Sequence, residues 1–410
     1  MNSKKIANDY IWNTLGSVMN AASSILMLLV VTRILGMYAG GVFSLAYALS
    51  QQFQSVGAFE MRPYQATDLK RQFSFLTYFV SRCLTTIVMV LCVVVYGIAT
   101  QGFTSDTFLL ISLAALKIFD VLEDVFHGEL QRNDKLDKAG QAYFFRVCST
   151  TVSFIVGVIA FRDLAQACFL SLGVSLVVCV YFNCIRNIRW VSKGYAAHDV
   201  DSLVRSVFLL LKLCLPLCIG AFLAVYLSNA PRFAIEEYLT KEDLTIYSIL
   251  FMPALAINLM SQLVFRPMLT SLASLHDSGN QRAFVLVVSK SFFAILGIWA
   301  ILSLLSIRWG TPFLGWLYSV DLSAYLSELL LLLIGGALNA FSIIVYYALV
   351  TKRRQALILA GYAATSIFAF FAGGPLVSNW GIAGACLLYV LSMLLLCLCF
   401  IGIFVQSGKR

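Results

Sequence analysis

The chain has 410 residues, of which 60% are hydrophobic and 12% charged, with mean hydropathy +0.87 and a formal net charge of +9. No soluble globular composition has this balance, so the sequence encodes a polytopic membrane protein. The links between apolar runs are short, which leaves no room for an inserted soluble nucleotide-binding or catalytic domain.

A bilayer core about 30 Å thick takes about 20 mostly apolar residues per helix. Twelve such runs are expected, at 11–32, 37–59, 76–98, 107–128, 141–161, 166–185, 206–228, 244–265, 283–306, 326–350, 355–373 and 382–405. The expected fold class is therefore all-α. Lys4 and Lys5 precede a rather polar segment without a short apolar core and small-residue cleavage site, so the first run is expected to be a retained span and not a signal peptide. Asn13, Ser17, Asn20 and Ser24 share one face of it. That face either allows close helix packing or lines a water-filled cavity.

The second run opens with the small residues of LGMYAGG and ends at Arg62-Pro63, where Pro63 is expected to stop the span and begin a surface turn. The pattern returns as SQLVFRPMLTSL, with Arg266-Pro267 in the same place. Arg33 and Arg232 precede the two copies, and the separations are 199 residues for Arg33 to Arg232 and 204 for Arg62 to Arg266. Two halves of similar plan are expected, residues 1–190 and 206–410, joined by a cytoplasmic linker at 191–205.

The fourth run contains KIFDVLEDVFHGELQ, in which Lys117, Asp120, Glu123, Asp124, His127 and Gln131 fall on one helical arc. A charge at membrane depth costs at least about 2.5–3.5 kcal/mol on insertion scales, so these side chains are expected to face inward, with Arg82 and Arg146 as candidate partners. They read either as an internal ion-pair network or as a cation or proton site. In the second half, Lys212 precedes Pro216, which is expected to kink or loosen its helix and so to offer a binding site or only a packing bend. Lys290 is expected to snorkel to the headgroups. Residues 228–243 read as an outward acidic turn, and the glycines at 335–336, 373–374, 381 and 384 as close-packing or hinge points. Asn339 is expected to bond a neighbouring helix.

With the amino terminus inside, nineteen Lys and Arg residues fall on the cytoplasmic side, against Arg33, Arg162, Arg232, Lys241 and Arg308 outside. The asymmetry predicts cytoplasmic termini and accounts for the net charge through anionic lipids, without a nucleic-acid partner. Eleven cysteines lie within apolar runs without a CxxC pair, and the three histidines form no cluster, so neither a metal nor a cofactor is expected. No phosphate-binding loop, HExxH or GxSxG is present, which argues against an enzyme. Arg82, Lys117, Arg146, Lys212 and Lys290 outnumber three intramembrane carboxylates, and such an excess of positive charge calls for an anion, phosphate being the obvious candidate.

WNTLGSVMNAASSILMLLVVTRILGMYAGGVFSLAYAL followed by GAFEMRPYQATD resembles the opening of bacterial polysaccharide and O-antigen (Wzx-type) flippases, in the oligosaccharidyl-lipid branch of the multidrug and toxin extrusion superfamily. DVLEDVFHGELQRNDKLDKAG, YLSNAPRFAIEEYL and NWGIAGA are similar to the family's fourth, seventh and last helices. The resemblance implies two pseudo-symmetric six-helix lobes around a central cavity, alternating access, and transfer of an undecaprenyl-pyrophosphate-linked oligosaccharide across the cytoplasmic membrane. It implies substrate contacts at Arg33, Arg82, Lys117, Arg146, Lys212 and Arg232, with Arg33 and Arg232 open to a second role as gates or headgroup anchors. Coupling to a proton or sodium gradient would fall to Asp120, Glu123 or Asp124, and downhill flux is an equal alternative. Membrane lipids and a polysaccharide polymerase or assembly protein are the implied partners. A multidrug exporter of the same fold, an assembly enzyme such as a polymerase or ligase, and a structural subunit are the alternatives.

Overall fold

A computed structural model of the chain describes residues 3–68, 70–191, 200–265, 281–351 and 355–406. Among these residues the chain is helical, without strands. The amino-terminal helices are α1 (Ser3–Leu35), α2 (Met37–Ala58), the short α3 (Met61–Thr67), α4 (Phe75–Gln101), α5 (Ser105–Arg132), α6 (Leu136–Phe161) and α7 (Leu164–Cys179), the last continuing as a π-turn over Val180–Arg186. They are followed by α8 (Val200–Tyr238), α9 (Lys241–Phe265), α10 (Gln281–Leu305), α11 (Thr311–Tyr318), α12 (Leu326–Thr351) and α13 (Gln355–Gln406). Each of the twelve expected apolar runs lies within helix, apart from an end residue.

Nine helices among the described residues are long and apolar enough to cross a membrane. One of them, α13, is 52 residues long and is broken at Gly381, whose φ of 56° and ψ of −134° only glycine adopts readily. At 1.5 Å per residue the unbroken helix would far exceed a bilayer, so the break makes two spans of it. Helices α2 and α5 fall outside the nine because of Gln51, Gln52 and Gln54 in one and four charges around residue 120 in the other. The protein is a multi-pass membrane protein.

The chain forms two compact units, Met1–Gly36 with Val42–Phe222, and Met37–Gly41 with Leu223–Arg410. The division falls inside α8, not at the linker expected at 191–205, of which residues 192–199 lie outside the described residues. The physical reason is packing. Leu210 and Cys214 of α8 are buried in a core with Met61, Phe75, Tyr78 and Phe126 of the amino-terminal helices. Likewise the Thr245 hydroxyl of α9 donates to the Met37 carbonyl at 2.6 Å, which ties the start of α2 to the second unit.

Three local expectations change. Pro63 does not end a span: α2 stops at Ala58, Phe59 and Glu60 take left-handed conformations, and Pro63 lies in the first turn of α3, where its missing N–H costs nothing. Its counterpart, Arg266-Pro267, lies outside the described residues. Pro216 does not break its helix, since α8 is helical without interruption from Val200 to Tyr238. The expected acidic turn at 228–243 is almost wholly helix, with only residues 239–240 between α8 and α9, and Glu236 pairs with Lys241 at 2.6 Å.

In the first unit α1 packs along α6. The approach depends on Gly140, where a Cβ would lie 2.7 Å from the Trp12 backbone. Gly140→Val should therefore overpack this contact by about 1–3 kcal/mol and lower the melting temperature in detergent. Gly173→Ala, at a position with open space around it, should leave it unchanged.

Candidate functional site

Helix α5 begins at Thr104, whose side chain accepts from the Thr107 N–H. It packs against α3, α4, α6 and α7, so its charged face meets protein. Lys117, Asp120, Glu123 and Asp124 project from that face at successive turns. Arg146 of α6, 3% exposed, donates through Nη2 to Glu123 Oε1 at 2.5 Å and also to Asp120 Oδ1. Asp120 accepts further from Lys117 Nζ at 3.1 Å and from Gln54 Nε2 at 3.4 Å. The Lys117 ammonium sits 4.9 Å from the Tyr47 ring centroid.

Arg82 of α4 is fully buried and donates to Asp124 Oδ2 at 2.8 Å. It also donates to the carbonyls of Gly57, at 3.2 Å, and Ala58. These belong to the last turn of α2, where unpaired carbonyls gather partial negative charge, so the guanidinium caps α2 while holding α5. Arg62, at the head of α3, takes the other oxygen of Asp124 at 3.2 Å.

The candidate partners read from the sequence are thus the partners found. The expected excess of buried positive charge is not. Arg82, Lys117 and Arg146, with the part-exposed Arg62, meet Asp120, Glu123 and Asp124, whereas Lys212 and Lys290 are exposed. Depth along a span can be read from sequence, but a lone lysine gives no period from which to tell which way it faces.

A cleft of about 40 Å³ opens beside this network, lined in part by Asn20, Ser23, Tyr47, Lys117, Asp120 and Arg146. That volume holds a few waters or a small ion. Glu123 and Asp124 do not line it. Both readings of the polar face of α1 apply to different residues. Asn13 donates to the Leu136 carbonyl at 3.2 Å where α1 meets α6, and Asn20 reaches the cleft.

The other predicted residues lie apart from this site. Arg33, at the end of α1, and Lys212, on α8, are exposed. Arg232 is buried in the second unit, where Nη1 donates to Asn229 Oδ1 at 3.0 Å. Sequence reasoning missed Tyr47 and Gln54 in the site. It also missed a buried cluster nearer the end of α5, where Arg132 pairs with Glu129 at 2.6 Å and with Asp68 at 3.7 Å. Arg132 had the pattern of a surface charge, and the available signal was Glu129 one turn before it.

No protein-family model matches the sequence, and no curated protein matches it. The fold does have relatives among solved structures. It is similar to the eukaryotic MATE transporter AtDTX14 with a TM-score of 0.67 and 13% identity, over 99% of this chain and 98% of that one. It is similar to the MATE transporter VcmN of Vibrio cholerae in its bent form, with a TM-score of 0.62 and 12% identity, over 100% and 98%. A MOP superfamily transporter from Pyrococcus furiosus, described as having a binding pocket of reversed polarity, gives 0.59 at 14% identity, over 99% and 95%. The chain has the fold of MATE and MOP superfamily transporters.

Removing the arginine that serves two carboxylates should be the most damaging change in the network. Arg146→Ala leaves Asp120 with less compensation and Glu123 with none of its ion pair, and should cost about 3–5 kcal/mol. Lys117→Ala, which leaves Asp120 paired to Arg146, should cost less. Melting temperatures of the two variants in detergent would show the order, and the reverse order would contradict the assignment.

Proposed function

We propose that the protein is an alternating-access transporter that flips undecaprenyl-pyrophosphate-linked oligosaccharides across the cytoplasmic membrane. The observation that carries transport is the fold, matched to transporters along 99% of the chain. MOP superfamily members of this fold have been captured in inward-facing and outward-facing conformations. The lipid-linked glycan rests on the sequence resemblance and on the kinds of cation the chain presents. The polar head, which cannot cross lipid unaided, is passed from the inner to the outer leaflet while the polyprenyl tail stays in the bilayer.

The geometry supports a division among the cations. Arg82 and Arg146 are held by carboxylates and act as scaffold. Lys117, at the cleft, and the exposed Arg33 and Lys212 are assigned to the pyrophosphate. Of the three carboxylates, Asp120 alone lines the cleft, so it is the group assigned to ion coupling. Both termini are assigned to the cytoplasm, with membrane lipids and a polysaccharide polymerase or assembly protein as partners. A second reading, export of cationic drugs, draws on the fold shared with multidrug resistance MATE transporters.

The test is leaflet exposure of a labelled undecaprenyl-pyrophosphate oligosaccharide in proteoliposomes containing only this protein, with and without a proton gradient. Accelerated transfer is expected. Lys117→Gln should slow it by about tenfold or more, the loss of one charge-assisted contact. Accumulation of a cationic dye without glycan transfer would establish the multidrug reading instead.

A further inference from the structure

The second unit contains a buried cation built differently from those of the first. Arg232 of α8 is 9% exposed, and no carboxylate among the described residues pairs with it. Its hydrogen-bond partners are neutral: Asn229 Oδ1 at 3.0 Å from Nη1, and Ser248 Oγ at 3.4 Å from Nε. Its guanidinium carbon lies 4.7 Å from the Phe251 ring centroid and 5.7 Å from that of Tyr247. By contrast, Arg82, Arg132 and Arg146 in the first unit each have a carboxylate oxygen at 2.8, 2.6 and 2.5 Å.

Ring faces and neutral oxygens offset only part of the cost of desolvating a guanidinium. A second deficit adjoins it. Tyr247 is fully buried and its hydroxyl makes no hydrogen bond, whereas the hydroxyl of the equally buried Tyr389 has the Asn258 and Asn339 amides as partners. Tyr389 packs edge-on against Phe251, the ring that covers Arg232, with centroids 5.0 Å apart. An unused O–H donor in a dry interior is costly. Surplus positive charge and the unused Tyr247 donor are satisfied together by one kind of guest, an anion. A water could accept from a hydroxyl but would leave the charge.

We propose that Arg232, with the Tyr247 hydroxyl, binds a small monovalent inorganic anion of the halide class within the second unit. One fixed positive charge flanked by aromatic rings suits a compact, singly charged guest. A pyrophosphate carries several charges and brings many acceptor oxygens, which these few donors do not match. Arg232 is thereby assigned away from the lipid-linked substrate, and the site is independent of what the protein transports.

The test uses the full chain purified in detergent and needs no transport. Melting temperature is followed as sodium gluconate is replaced by sodium chloride or bromide at constant ionic strength. A saturable rise with halide is expected, as for any ligand that binds only the folded state, and Arg232→Gln should abolish it. Tyr247→Phe, which keeps the ring and removes the donor, should weaken half-saturation by about tenfold. Equal melting in gluconate and halide, or an undiminished halide response in Arg232→Gln, would overturn the proposal. Should Arg232→Gln fail to fold, crystals of the unaltered protein in bromide decide it: an anomalous peak at the guanidinium is expected, and its absence refutes the site.

Discussion

A single guanidinium, that of Arg146, holds two carboxylates of α5 at once. In water such a clamp would contribute little. Within a bilayer Glu123 has no other ion-pair partner among the described residues and Asp120 has only Lys117 besides, so losing the clamp costs several kcal/mol. The clamp therefore fixes how α5 is turned against α6, and other features follow from that turn. Lys117 is brought over the Tyr47 ring, Asp124 is aimed at Arg82, and the α1 residues that pack along α6 are brought to the edge of the cleft.

Pairing within this network changes where a negatively charged head could be recognised. A guanidinium already bound to several fixed acceptors, as in Arg82 and Arg146, has little left to offer a phosphate, because all compete for the same N–H donors. On the reading proposed above, such a head would be met by Lys117, which gives one of its three N–H donors to Asp120, and by the exposed Lys212 and Arg33. The cleft beside Asp120 has a volume of about 40 Å³. In this conformation it suits a water or an ion, in keeping with a coupling role for Asp120.

Much of the architecture was legible in the sequence because the bilayer imposes a length and a polarity on every span. The inward face of α5 was legible for the same reason, since four charges at one helical spacing cannot all face lipid. The partners Arg82 and Arg146 followed from depth alone. Features that depend on direction around a helix were not legible, as with Lys212 and Lys290, each the only charge on its span. Pro216 leaves α8 helical from Val200 to Tyr238, since a proline removes one hydrogen bond among dozens in a long helix. Arg132 misled because a charge near a helix end is most often solvated, whereas here Asp68 and Glu129 enclose it. The boundary between units was hidden for a related reason, as packing at Leu210 and Cys214 leaves no mark in composition.

The arrangement of α5 bears on the order in which the chain is made. Its Lys117 offsets one of its three deep carboxylates, and Arg82, synthesised earlier, supplies a partner for Asp124. The remaining negative charge waits for Arg146, which emerges only after α5 has left the ribosome. On its own, α5 is a poor candidate for release into lipid. Its release is expected to wait for α6, when Arg146 joins Lys117 and the Arg82 of α4 in offsetting the three carboxylates.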